Sequence, residues 1–192
     1  MIEIWRVDLD RPAALPPTRE ETDRAARFAT AELARRYLAA HAALRAILGR
    51  HTSAVLEFGV AGKGKPYLTH APEVRFNLSH SRGRALVAVA RNVEVGVDLE
   101  WIRPMDRYSE MAERFFPPDE DPPADVVDFF RRWTRLEALW KARGVGLFGA
   151  GAVSEGEWTV REVDAGEGFV GAVAAEGNEF AVTIQDFGAN EA

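Results

Sequence analysis

Apolar and polar residues alternate with a period of two along several short runs of the chain, the pattern of strands that bury one face. Such runs are Met1–Asp8, Val55–Val60, Val74–Ser79, Ala85–Ala90, Val93–Glu100, Trp158–Val163, Phe169–Ala174 and Phe180–Phe187. Elsewhere the period changes to that of a helix. Thr18 and Glu21 have capping-box spacing and open one helix. Thr30 opens a second, whose stripe of Leu33, Tyr37, Leu44, Ile47 and Leu48 is ended by Gly49. A short helix leads to Phe115-Phe116, and a long one spans Phe129 to Gly144 with Val126, Phe130, Trp133 and Trp140 on one stripe. The segments 61–66 and 117–123 read as loops, and Arg91-Asn92 predicts a hairpin turn between the two strands that flank it.

Helix and antiparallel strands thus recur in similar number in each half of the chain. The pattern predicts an α+β protein of two similar lobes joined near Arg91–Glu94. The expected domains are residues 1–92 and 93–192. No internal sequence repeat supports the likeness of the halves.

One strand carries chemistry on its polar face. In Val95-Gly96-Val97-Asp98-Leu99-Glu100, the apolar residues point one way and Gly96, Asp98 and Glu100 the other. Two carboxylates one pleat apart repel unless a cation separates them. A hard divalent ion such as Mg²⁺ fits their oxygens, and Gly96 would let a phosphate approach closely. The same alternation also suits a strand edge whose acids face water. The long helix adds a third acid, Glu137, at the edge of its aromatic stripe with Lys141 one turn later. That spacing makes a surface ion pair worth only about 0.2–0.5 kcal/mol, but a carboxylate beside two tryptophans is uncommon without a partner.

Composition narrows the class. The chain has 192 residues, no cysteine and a net charge of -6, so disulfides and thiolate chemistry are excluded and a nucleic-acid partner is not expected. Apolar runs such as Ala85–Ala90 are far too short to span a membrane, and the N-terminus has no signal-peptide pattern. A cytoplasmic location is the expectation. Charge is uneven: residues 1–91 carry 15 Lys and Arg against 9 Asp and Glu, residues 92–192 carry 9 against 21. A basic half joined to an acidic half suits a polyanion at the junction with a metal on the acidic side, although solvated helix faces give the same count. Arg24, Arg27, Arg35 and Arg36 gather near the junction of the first two helices. Gly62-Lys63-Gly64-Lys65 lacks the spacing and hydroxyl of a P-loop. Asn77, Ser79, His80 and Ser81 fall at the end of a strand, where ligands are commonly met.

Taken together, Gly96-Val97-Asp98-Leu99-Glu100, Trp133-Thr134 with Glu137-Ala138 and Lys141, and Gly144-Val145-Gly146-Leu147 resemble the 4′-phosphopantetheinyl transferases of the surfactin-synthetase-activating type. Gly64-Lys65-Pro66, Asn77-Leu78-Ser79-His80-Ser81, Phe115-Phe116 with Glu120, and the arginine-rich helix pair match in the same order. Each piece is weak alone; the ordered set covers nearly the whole chain.

The resemblance implies a pseudo-twofold pair of α+β lobes with the active site in the cleft between them. It implies transfer of 4′-phosphopantetheine from coenzyme A to a serine of an acyl or peptidyl carrier protein, with Mg²⁺ and release of adenosine 3′,5′-bisphosphate. Asp98, Glu100 and Glu137 would hold the metal. Glu137, with Glu120 in reserve, would activate the serine, and Lys141 would stabilise the leaving oxygen. Arg24, Arg36, Lys65, Pro66, Ser79, His80, Asp98 and Lys141 would meet coenzyme A. A monomer that touches neither nucleic acid nor membrane is expected. Two positions depart from the family: Leu136 stands where a lysine is usual, and Glu21 replaces one of two basic residues that meet the 3′-phosphate. A catalytically silent module that binds coenzyme A or a carrier protein, and a Mg²⁺-dependent phosphohydrolase, are the other readings of the same residues.

Overall fold

The computed structural model describes residues 1–62, 64–145 and 158–188. Gly146 and Leu147 of the last motif lie outside the described residues. The chain is α+β, as the alternating and helical patterns predict. Its elements are β1 (Ile2–Asp8), α1 (Arg19–Ala25), α2 (Ala31–Leu48), β2 (Phe58–Ala61), β3 (Lys65–Leu68), β4 (Val74–Ser81), β5 (Arg84–Arg91), β6 (Val95–Trp101), α3 (Tyr108–Phe115), α4 (Val126–Arg143), β7 (Trp158–Val163), β8 (Phe169–Glu176) and β9 (Val182–Asp186).

The strands form a four-stranded sheet in the order β4-β5-β1-β9, a three-stranded sheet in the order β6-β8-β7, and a β2-β3 hairpin. Alternation along β1 and β5 sends residues to both faces of the first sheet. Trp5, Val7, Val87 and Val89 pack with Ala40, Ala43, Leu44 and Ile47 of α2. Ile2, Ile4, Leu86 and Ala88 pack with Val95, Val97, Leu99 and Val173 of the second sheet. On that sheet's other face, Ala172 and Ala174 meet Ala138, Leu139 and Ala142 of α4. The layers therefore run helix, sheet, sheet, helix, with an aromatic cluster of Phe129, Phe130, Trp133 and Trp140 joining α4 to α3.

Three expectations change. Arg91-Asn92 is not a hairpin turn. Asn92 does adopt the left-handed conformation, φ 56°, but its N–H donates to the Glu73 carbonyl at 2.8 Å, and the chain then crosses to the second sheet. β5 pairs with β4 and β1, whereas β6 pairs with β8. The loop reading of 61–66 also gives way, because Lys65 and Pro66 open β3 and pair with Ala61 and Val60. Finally, β9 runs parallel to β1 in the first sheet, so the end of the chain returns to the layer in which it began. A division of the chain at residue 92 does not anticipate this.

Gly96 has a different purpose from the one its sequence suggests. A Cβ there would collide with the main chain of α4 at Ala138 and Ala142. The missing side chain admits a helix, not a ligand. With alanines at 138, 142, 172 and 174, it lets α4 lie close on the sheet and brings Glu137 and Lys141 over the polar face of β6. Gly96→Ala should therefore cost about 3 kcal/mol, at the upper end of what overpacking usually costs. Urea denaturation checks this; a midpoint unchanged from the parent would show that α4 can shift at little cost.

Candidate active site

The edge strands of the two sheets, β4 and β6, run beside each other without a backbone ladder, and side chains join them instead. The Val97 N–H donates to Asn77 Oδ1 at 2.9 Å, Ser79 Oγ donates to Asp98 Oδ1 at 2.7 Å, and Ser81 Oγ donates to Glu100 Oε2 at 3.1 Å. The Trp101 N–H also donates to Ser81 Oγ, at 3.2 Å. Residues 77, 79 and 81 share one side of β4 by alternation, so a period of two supplies three rungs at once. Asn77 and Ser81 hold the seam together, a role that sequence reasoning did not give them. Their even spacing was the available signal.

Asp98 is the centre of the site and only 3% exposed. Lys141 Nζ lies 2.5 Å from its Oδ1, 3.0 Å from Ser79 Oγ and 3.7 Å from Glu137 Oε2. Asp98 Oδ2 is buried and has no hydrogen-bond partner among the described residues. Burial pushes the Asp98 carboxyl above its usual range, against the pull of Lys141 and Ser79. Glu137 is raised too, first by burial and then by the neighbouring Asp98 charge. Glu100 completes the acidic face, and its Oε2 also accepts from Arg103 at 2.9 Å. Asp98, Glu137, Glu100 and Lys141 therefore form one electrostatic unit. Among the described residues, no three acidic or imidazole side chains are gathered as a ready-made ion cage. The lysine ammonium lies among the acids instead.

The remaining sequence candidates divide into two groups. Ser79 belongs to the unit itself, and His80 lies beside it, exposed, with its pKa lowered by local desolvation and by the Lys141 charge. Arg24 is exposed in the last turn of α1. The others have partners within the protein. Lys65 Nζ donates to Glu94 Oε2 and the Ala142 carbonyl, both at 2.6 Å, and to the Val95 carbonyl at 3.1 Å. It thereby fastens β3, which carries Pro66, to the C-terminal end of α4, where cations are favoured. Arg36 is engaged by Asp10 at 2.9 Å and Glu32 at 2.6 Å. Glu120 is exposed on the 117–123 loop, 3.9 Å from Arg132.

The two positions that the resemblance sets apart, Leu136 and Glu21, both have partners within the protein. Leu136 is half-buried and packs against the aromatic cluster that joins α3 and α4. Glu21 closes the capping box with Thr18 and pairs with Arg45 of α2, whose other arm donates to the Pro16 carbonyl at 2.6 Å.

Comparison with known proteins identifies the family. The model of the 4′-phosphopantetheinyl transferase superfamily matches residues 94–184, a span that contains β6, α4 and the acidic face. The 4′-phosphopantetheinyl transferase HetI of Nostoc sp. is 36% identical, over 76% of this chain and 70% of its own length. A 4′-phosphopantetheinyl transferase of Bacillus subtilis is 29% identical, over 76% of this chain and 72% of its own. The 4′-phosphopantetheinyl transferase Sfp of Bacillus subtilis strain 168 is 26% identical with the same two coverages. The chain therefore belongs to the 4′-phosphopantetheinyl transferase superfamily, as an enzyme of that class.

Proposed function

We propose that this enzyme moves the 4′-phosphopantetheine group of coenzyme A onto a serine hydroxyl of an apo carrier protein and releases adenosine 3′,5′-bisphosphate. The observation that carries this reading is Asp98, buried and paired with Lys141, beside a raised Glu137. A new bond forms between the serine oxygen and the phosphorus that bears pantetheine. The bond from that phosphorus to the bridging pyrophosphate oxygen breaks, and the electron pair leaves with the nucleotide.

Phosphoryl transfer depends on positioning and charge neutralisation more than on covalent help from the protein. Asp98, Glu100 and Glu137 would hold Mg²⁺, a fit supported by hard oxygen donors and by the unpartnered, buried Asp98 Oδ2. When bound, the ion would offset negative charge on the pyrophosphate. Lys141 would turn from Asp98 toward the phosphates and stabilise the departing oxygen. Glu137 is the better candidate than Glu120 to take the serine proton, because it belongs to the acidic unit and its raised pKa brings it closer to the working pH. Arg24, Ser79 and His80 would face the nucleotide and its phosphates. Lys65 and Arg36 would join them only by leaving Glu94 and Asp10. Functionally, residues 1–92 would grip the nucleotide and the acidic face beyond residue 93 would carry the metal.

Asp98→Ala and Glu137→Ala should each lower kcat/KM for transfer at least about a hundredfold, with folding retained. The measurement is mass gain on apo carrier proteins given coenzyme A and Mg²⁺. Full activity in Glu137→Ala would sink the proposed metal set. Nucleotide release without any carrier would point instead to hydrolysis.

Loss of the 3′-phosphate should make dephospho-coenzyme A a poorer substrate by about 1.5–3 kcal/mol, the worth of a charged hydrogen bond. Arg24→Ala and His80→Ala should remove part of that preference. Equal kcat/KM on the two substrates in the parent enzyme would show these groups to be a solvated face.

The raised Glu137 pKa also predicts a stability trend. An acid whose pKa rises on folding stabilises the native state below its ordinary value, about 4.3, and that contribution is lost as pH climbs through the raised value. In the presence of a chelator, Glu137→Gln should therefore melt at progressively higher temperature relative to the parent as pH rises from about 4 to 8. A difference independent of pH would mean that Glu137 titrates as an ordinary solvated acid.

A further inference from the structure

The β2–β3 hairpin is a sheet of its own, and its two ends are attached in different ways. At the open end Phe58 and Leu68 form a cross-strand pair. Leu68 belongs to the apolar cluster between α2 and the first sheet, and Phe58 meets Phe76 of β4 edge to face, 5.8 Å between ring centroids. Toward the turn the packing is incomplete. A cavity of about 70 Å³, lined by Ala61, Pro66, Tyr67, Arg75 and Glu94 among others, opens beside the hairpin there. At that end Lys65 supplies a polar attachment to the rest of the protein.

The Lys65 ammonium has three N–H donors, and three acceptors surround it. They are Glu94 Oε2 and the Ala142 carbonyl, both at 2.6 Å, and the Val95 carbonyl at 3.1 Å. The Ala142 carbonyl is one of the last four of α4, which have no partner within the helix. The Gly144 and Val145 N–H groups donate to the carbonyls of Lys141 and Trp140, each at 3.2 Å, and Lys65 serves the next one. Val95 opens β6, three residues before Asp98, and Ala142 follows Lys141 directly. One ammonium therefore ties the start of the strand that bears Asp98 to the end of the helix that bears Lys141. Its side chain is only 14% exposed, and Arg75 holds Glu94 from the other oxygen at 3.3 Å.

We propose that Lys65 is a positioning residue for the reaction: through Val95 and Ala142 it sets the spacing of β6 and α4, and with it the placement of Lys141 against Asp98 and the pyrophosphate. The proposal rests on the transfer reading above and goes beyond it, because it gives Lys65 a task other than contact with coenzyme A. Gly96 and the alanines let the helix lie close, but apolar contact is non-directional. Hydrogen bonds to two carbonyls fix distance and angle as well. Stability is not the measure of such a clamp, since a buried ion pair often adds little to it. Placement is, because a displacement of about 1 Å can cost about a hundredfold in rate.

The test compares the parent with Lys65→Met, Glu94→Gln and the double variant. Amide hydrogen exchange is followed on the free proteins, without coenzyme A, carrier or metal. In Lys65→Met the Gly144 and Val145 amides should exchange about tenfold faster or more, the scale of one charged hydrogen bond, while those of β1 and β5 keep the parent rates. Calorimetry without carrier measures coenzyme A binding, and transfer kinetics give kcat. Lys65→Met should lower kcat about tenfold or more and leave Kd for coenzyme A little changed. Glu94→Gln keeps an oxygen acceptor but loses its charge, so kcat should fall by less. The double variant should match Lys65→Met, because the two residues act through one contact.

A ligand role for Lys65 predicts the opposite pattern. Lys65→Met would then weaken coenzyme A, and Glu94→Gln, by loosening its hold on the ammonium, would tighten it. That result, or unchanged exchange at Gly144 and Val145, overturns the proposal. Should Lys65→Met unfold, as fast exchange throughout β1 and β5 would show, the sign in Glu94→Gln decides: a lower kcat at unchanged Kd supports the clamp, and a lower Kd overturns it. Should the parent modify no carrier, the transfer reading fails, while exchange at the end of α4 still decides whether Lys65 holds that helix to β6.

Discussion

The buried contact between Asp98 and Lys141 can exist only because β4 and β6 are joined by side chains. A regular ladder between these two edge strands would merge the sheets and leave no separate polar seam. Without any linkage, the unpaired N–H groups of β6 would be buried at a cost of about 1–3 kcal/mol each. Asn77 resolves this at one point by accepting from the Val97 N–H, and Ser79 and Ser81 place hydroxyls against the carboxylates of Asp98 and Glu100. The seam therefore satisfies polar groups and orients acids with the same three residues. Apolar replacements there would break both functions together.

α4 approaches that seam for a separate reason, steric in origin. Gly96 and the surrounding alanines remove the side-chain layer that would hold the helix away. Closeness is what desolvates Glu137 and Asp98 and raises both. Two desolvated carboxylates are a standing cost to the free fold, only partly offset by Lys141. A site organised this way favours cations, and a divalent ion would relieve more repulsion than one ammonium can. The proposed metal site thus rests on electrostatic frustration that helix packing creates.

Much of this was legible in the chain. Alternation along Val95–Glu100 assigned the faces of β6 correctly, and the stripe ending at Gly144 predicted α4, which closes there on a left-handed glycine. Strand partners were not legible, because alternation decides which way a side chain points and says nothing of which strand lies alongside. Arg91-Asn92 has the composition of a hairpin turn but serves as a crossover. β9 finds β1 across nearly the whole chain. The seam was hidden for the same reason, since Asn77 and Ser79 are ordinary polar positions until β6 is placed beside them. Glycine was ambiguous in a further way: Gly96 reads equally as room for a ligand and as room for a helix, and only the packing decides.

Leu136 and Glu21 show how the surroundings decide what a side chain contributes. A lysine at position 136 would carry charge toward a surface that here is apolar, where Leu136 extends the Phe129–Trp133–Trp140 cluster. An acid at position 21 would repel a phosphate if it were free. It is not free, because Arg45 and the Thr18 N–H occupy its oxygens. Its charge is balanced within the α1–α2 contact. An acid beside a proposed anion site is tolerable when a scaffold cation balances it, and the capping box at Thr18 holds Glu21 where Arg45 does so.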